Sequence, residues 1–218
     1  RDLIVTGVQT CALPILWFNA DGGKAQITNF AGGRVDLLDD ASAGQARLVN
    51  ESGGVINLAD RVSADQATVV NNAGGQLRIG SLTNAGVGIG ALEGAGEVFL
   101  GAKALTTGGL NTSTTVSGTI GGSGGSVVKV GSGTLELSGA NTYTGGTTVA
   151  GGTLAANNTS GSATGSGAVQ IQGGATLAGN GSIAGSVNIA KGGVLSAGNG
   201  GVGTLTLGSL SLADGAVL

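Results

Sequence analysis

The chain has 218 residues, of which 47 are Gly, roughly three times the usual share. It contains no His and no Met, one Cys, one Pro, one Trp, one Tyr and three Phe, with a net charge of −3 and only 10% charged residues. That inventory leaves few or no residues for zinc sites, Ser-His-Asp triads, Cys-His nucleophiles or haem ligation, and it argues against nucleic-acid binding, which needs basic grooves and stacking aromatics.

Cys11, Pro14 and Trp17 all fall at the start of the chain, which breaks sharply in composition from the remainder. The stretch Val5-Thr6-Gly7-Val8-Gln9-Thr10-Cys11-Ala12-Leu13-Pro14-Ile15 is similar to a translated sequencing adaptor. The competing reading is the end of a secretory signal, with a small-residue site near Asn19-Ala20. The lack of a basic leader or starting Met before it favours the first. Residues 1–17 are therefore set aside as a non-native or signal-like segment, and 18–218 are read as one domain.

Between positions 24 and 86, three units align with a period of 21. Asn29, Asn50 and Asn71 recur at that spacing, as do Gly32-Gly33, Gly53-Gly54 and Gly74-Gly75. An alternating strand follows each Gly pair: Val35-Asp36-Leu37, Ile56-Asn57-Leu58 and Leu77-Arg78-Ile79. Period-two alternation inside a unit, with a fixed period between units, is the pattern of a β-solenoid with one unit per rung. Rungs stack about 4.8 Å apart, so equivalent inward residues form ladders. These are Val35, Ile56 and Leu77; Leu37, Leu58 and Ile79; and Ala25, Ala46 and Ala67. The three Asn share the inward parity and are expected to form a ladder at a turn, bonding to one another and to free backbone groups. The Gly pairs would supply the backbone angles of the corner.

The second half keeps this theme with looser spacing. The pairs Gly151-Gly152, Gly173-Gly174 and Gly192-Gly193 recur less evenly, and Val169-Gln170-Ile171, Val187-Asn188-Ile189 and Leu205-Thr206-Leu207 alternate as before. The whole predicts an all-β, right-handed single-stranded parallel β-helix of about nine to ten rungs, a rod about 40–50 Å long. The charge-free run 137–190 is filled with Gly, Ser, Thr and Asn and is too polar for a spanning helix.

Residues 131–154 carry a denser motif: Gly131-Ser132-Gly133-Thr134-Leu135-Glu136-Leu137-Ser138-Gly139-Ala140-Asn141-Thr142-Tyr143-Thr144-Gly145-Gly146-Thr147-Thr148-Val149, continuing to Gly151-Gly152-Thr153-Leu154. This segment resembles the autotransporter-associated β-strand repeat, also called the passenger-associated transport repeat, of bacterial type V secretion proteins. The positions that carry the resemblance are Gly133, Leu135, Leu137, Gly139, Asn141, Tyr143, Gly145, Gly146, Thr147, Val149, Gly152 and Leu154. The resemblance implies a right-handed parallel β-helix, exported through the outer membrane and displayed on, or released from, the cell surface. It implies that the repeat assists secretion, and that the partner is a C-terminal outer-membrane β-barrel of the same polypeptide. That barrel is absent from this sequence, and no convincing signal peptide is present, so the chain reads as a fragment of a longer passenger. Residues 155–218 read as further, looser rungs.

The rival class is a β-helical enzyme acting on polysaccharides, which needs several carboxylates on one face. The best candidates are Asp36, Asp39, Asp40 and Asp60. Asp39 and Asp60 are equivalent in adjacent rungs and could share a calcium ion, but the next rung offers Ser81, and Arg61 nearby offers compensation at a solvated corner. They remain the weak metal candidates. Gly198-Asn199-Gly200-Gly201-Val202-Gly203 fits GxGxxG but precedes a strand and reads as a turn. Tyr143 is expected to pack over a rung corner. The expectation is a non-enzymatic stem without cofactors, located outside the cell or at its surface, which assists its own translocation and supports adhesion. Host or neighbouring-cell glycans are the possible partners and nucleic acid is not. The alternative is a polysaccharide-active or glycan-binding β-helix.

Overall fold

A computed structural model describes residues 15–198 and 201–218, with side chains from residue 19 onward. Cys11 and Pro14 lie outside the described residues. The chain enters at β1 (Ile15–Phe18), whose four residues pair in register with Val35–Leu38, so the segment set aside as 1–17 overlaps the first strand of the coil. Three near-identical rungs follow, formed by β2 (Gln26–Asn29) and β3 (Arg34–Leu38), β4 (Arg47–Asn50) and β5 (Val55–Leu58), and β6 (Ala64–Asn71) and β7 (Gln76–Arg78). Next come β8 (Gly86–Glu93) and β9 (Glu97–Phe99), then a rung with three separate strands, β10 (Ala104–Thr107), β11 (Thr114–Val116) and β12 (Ile120–Gly121). The rest is built from β13 (Ser126–Lys129), β14 (Thr134–Leu137), β15 (Thr147–Val149), β16 (Thr153–Ala156), β17 (Val169–Ile171), β18 (Thr176–Gly179), β19 (Ser182–Ile189), β20 (Val194–Ala197) and β21 (Thr206–Leu212).

No helix occurs among the described residues, and every strand pairs in parallel with its equivalent one rung away. Three stacked sheets of six, ten and five strands make a β-solenoid of about nine turns. Strands this short, with no antiparallel partner within the rung, can satisfy their backbone groups only on the rungs above and below. The fixed repeat length permits this.

The inward ladders run further than three rungs. Val35 pairs in register with Ile56, then Leu77, Val98 and Ile120, and all five are at most 1% exposed. Leu37, Leu58 and Ile79 are fully buried, as are Ala46 and Ala67, with Ala25 nearly so. Burying one such aliphatic side chain contributes about 1.5–3 kcal/mol, and repetition of this small increment lets the coil stand without an aromatic core.

One side of the prism changes hands midway. In the first rungs the corner ahead of β2, β4 and β6 is held by single bridges, Asp21 to Ser42 and Ser42 to Ser63. β6 and β8 are each eight residues long because they run round this corner. Ala91–Glu93 of β8 pair back with Thr68–Val70 of β6, whereas Gly86–Ile89 pair forward with Ala104–Thr107 of β10. The side abandoned by the ten-stranded sheet is taken up through the Gly94–Val116 bridge by the sheet of β11, β14, β16, β18 and β20. At β21 the ladder positions Leu210 and Leu212 are 43% and 42% exposed, although their partners Val187 and Ile189 are buried.

Candidate functional site

Asn29, Asn50 and Asn71 end β2, β4 and β6 on the inward parity, which carries three amides into an aliphatic interior. A buried amide must find partners, and here each finds the next. Asn29 Nδ2 donates to Asn50 Oδ1 at 2.8 Å and to the Val55 carbonyl at 3.1 Å. Asn50 Nδ2 donates to Asn71 Oδ1 at 2.8 Å and to the Gly54 and Gln76 carbonyls. Asn71 Nδ2 donates to the Glu97 carbonyl at 2.9 Å. The ladder stops at Gly94, where a Cβ would run into the Asn71 carbonyl oxygen, and Val116 and Leu137 continue the column as aliphatics. With the donors committed, these asparagines brace a corner and offer little to a ligand.

The four Asp are divided among separate partners. Asp36 is 4% exposed, held by Arg34 Nε at 2.6 Å and by the Asn57 amide at 2.9 Å. Asp40 takes both Nε and Nη2 of Arg61 at 2.7 Å, which holds its carboxyl below the usual range. Asp39 and Asp60 both adopt φ of 58°, a left-handed corner that Asp tolerates. The Asp60 carboxylate accepts the Asp39 N–H at 3.1 Å. Arg61 thus forms its ion pair with Asp40, not with Asp39 or Asp60. Among the described residues no three His, Cys, Asp or Glu side chains come together as a metal site. Two glutamates that the sequence pattern does not single out share another outward column: Glu93 and Glu136 line an open groove of about 420 Å³, with Thr115 and Thr134.

The 131–154 motif folds into a specific arrangement. Leu135, Leu137, Val149 and Leu154 point inward and are at most 2% exposed. A Cβ at Gly133, Gly139 or Gly145 would meet the carbonyl oxygen of Thr112, Gly118 or Gly124 in the preceding rung, so these glycines mark close backbone approach. Asn141 bridges three rungs: its Oδ1 accepts the Ile120 N–H at 2.7 Å, and its Nδ2 donates to the Ala163 carbonyl. Tyr143, between β14 and β15, is packed and fully buried, with its hydroxyl 2.6 Å from Thr147 Oγ1. Burial pushes that phenol well above its ordinary value.

Lys129, just ahead of the motif, is a candidate-site residue that the sequence pattern does not single out. The alternation Val127-Val128-Lys129 gives it the inward parity of Val127, and its side chain is 1% exposed. Its Nζ donates to three carbonyls, those of Val130 at 2.6 Å, Gly131 at 3.0 Å and Gly151 at 3.2 Å. It forms no ion pair among the described residues, and burial pulls its ammonium below the ordinary lysine range. A lysine that spans from one rung's corner to the next supplies donors to carbonyls the ladders leave over.

Residues 127–156 match the family model of the passenger-associated-transport-repeat. The matched stretch runs from the second residue of β13 to the last of β16. It comprises one full turn of the coil and the first two strands of the next. It extends the 131–154 motif at both ends, taking in Lys129 and the rest of β16. No curated protein matches the chain.

Proposed function

We propose that this chain is the β-helical stem of an autotransporter passenger, exported across the outer membrane and folded on its far side. The reading is carried by one observation: a passenger-associated-transport-repeat occupies a turn in the middle of a β-solenoid and is continuous with it in every ladder. The physical role follows from the architecture. Each rung templates the next, so a chain emerging from a pore folds rung by rung, and each addition opposes retreat. Only 10% of residues are charged, which eases passage of the unfolded chain.

The test fuses the chain between a secretory leader and an outer-membrane barrel, with surface exposure read by external antibody in flow cytometry. Deleting residues 131–154 is expected to lower display more than deleting one repeat unit from the first half. Equal display overturns the transport role.

Within this reading the stem is non-catalytic and supports adhesion. Paired Asp36 and Asp40 have no carboxylate to spare for acid–base work. Polysaccharide cleavage abolished by Asp39→Asn, Asp60→Asn, Glu93→Gln or Glu136→Gln would overturn the non-catalytic reading. Attachment of the purified rod to cells tests adhesion.

A further inference from the structure

On the sheet of β3, β5, β7, β9 and β12, register stacks Asp36, Asn57, Arg78, Phe99 and Gly121 in one outward column. Its chemistry changes along the rod. Asp36 is neutralised between Arg34 and Asn57. Arg78, by contrast, has no carboxylate partner among the described residues. Its Nη2 donates to Gln76 Oε1 at 2.6 Å, and its Cζ lies 5.6 Å from the centre of the Phe99 ring. Phe99 is 41% exposed, and because the next position is Gly121, no side chain from that position covers the ring. Gly80, Gly101 and Gly122 leave the adjoining floor bare. The result is an open groove of about 690 Å³, with Asn57 and Ser81 on its polar side.

A lone exposed aromatic ring is ordinary on a protein surface; Phe99 is set apart by its neighbours. Here it is paired with a guanidinium that has no carboxylate partner among the described residues and with the Ser81 hydroxyl, within the size range of small-ligand sites. A pyranose presents C–H groups on one face and a rim of oxygens, which suits a ring beside the exposed Ser81 hydroxyl. The planar fork of Arg78 suits a carboxylate. The sheet's backbone groups are already spent on neighbouring rungs, so an extended peptide finds no edge to pair with.

We propose that this groove binds a carboxylated pyranose of an acidic polysaccharide, with the carboxylate on Arg78 and the C–H face of the sugar against the exposed edge of the Phe99 ring. The inference gives the adhesion reading a site and rests on it. Glu97, in the neighbouring outward column and 3.5 Å from the Gln76 amide, limits the negative charge the groove accepts. A singly charged sugar therefore fits better than a multiply sulfated one.

Calorimetric titration of the purified chain with hyaluronan and alginate tetrasaccharides, and with their carboxyl-reduced forms, tests the site. At least one acidic probe should bind, and its reduced form should bind about tenfold more weakly, the worth of a charge-assisted hydrogen bond. Arg78→Gln should weaken the acidic probe alone, and Phe99→Ala should weaken both forms. Gly121→Val should block both, its Cβ displacing only the exposed Thr142 hydroxyl at 3.0 Å. Circular dichroism checks that each variant keeps the fold. No binding of either acidic probe, or equal binding by the parent and the variants, overturns the site. Cell attachment that persists in Arg78→Gln and Phe99→Ala overturns the site and leaves adhesion standing. Absence of attachment by the parent rod overturns adhesion itself.

Discussion

Asn50 accepts the amide of Asn29 at 2.8 Å and passes its own amide to Asn71 at the same distance, so one side chain serves two rung interfaces. Replacing Asn50 with Leu leaves the Asn71 oxygen and the Gly54 and Gln76 carbonyls without this donor. The cost is expected to be about 2–4 kcal/mol, the range for breaking a buried polar network. Asn71→Leu, at the ladder's end, should cost less. Urea unfolding midpoints rank the two, and equal values would show that the ladder contributes no coupling.

The two glycines of a corner pair do different work. Gly32 has φ of 77° with nothing within 4 Å of an added Cβ, so Gly32→Ala bears only the dihedral penalty of about 1 kcal/mol. At Gly54 a Cβ would lie 2.5 Å from Asn50 Oδ1, 2.8 Å from Asn29 Nδ2 and 2.9 Å from the Asn29 carbonyl. Gly54→Ala should therefore shift the melting temperature several-fold more than Gly32→Ala.

Lys129 makes the alkaline limb of stability informative. Its ammonium is depressed in the folded chain and has its ordinary value of 10.5 when unfolded. Between those points the unfolded chain binds more protons, so stability rises with pH up to about 10.5. Below that interval the full cost of burying the charge is present. Lys129→Met lacks this rise, so the parent should gain on the variant as pH climbs toward 10.5. A constant difference would mean that the ammonium is not desolvated.

Tyr143 acts in the opposite sense and in a higher window. Its phenol stays protonated in the fold well past the ordinary value of 10.0, at which the unfolded chain ionises. Its contribution is intact below pH 10 and is lost as pH rises above it. Tyr143→Phe should be less stable by about 1 kcal/mol at neutral pH through loss of the Thr147 hydrogen bond, and that gap should shrink as the unfolded phenol ionises.

The period-two alternation and its even recurrence were enough to read the solenoid and its aliphatic ladders, because parallel stacking places identical parities on top of one another. Lys129 and Tyr143 were harder, since the pattern marks their parity but general burial statistics place such residues outside or at a corner. Three free carbonyls and one hydroxyl settle their position, and those appear only once neighbouring rungs are assembled. The Arg78–Phe99 pair has the same spacing as the Asn29–Asn50 ladder. It is not legible in the sequence because outward positions carry no core signal, and its meaning depends on what Gly121 omits.

The span of the transport-type segment has a kinetic consequence. Because Val127–Ala156 includes β13 with β15 and β14 with β16, this one segment contains both partners of two strand pairings. Its two interfaces close across a loop of about twenty residues, at a modest entropic cost, as do those of the first rungs, where residues 26–58 hold β2 with β4 and β3 with β5. A segment of one turn and two further strands thus carries complete interfaces with it wherever it is inserted, which makes the unit portable between coils of matching cross-section.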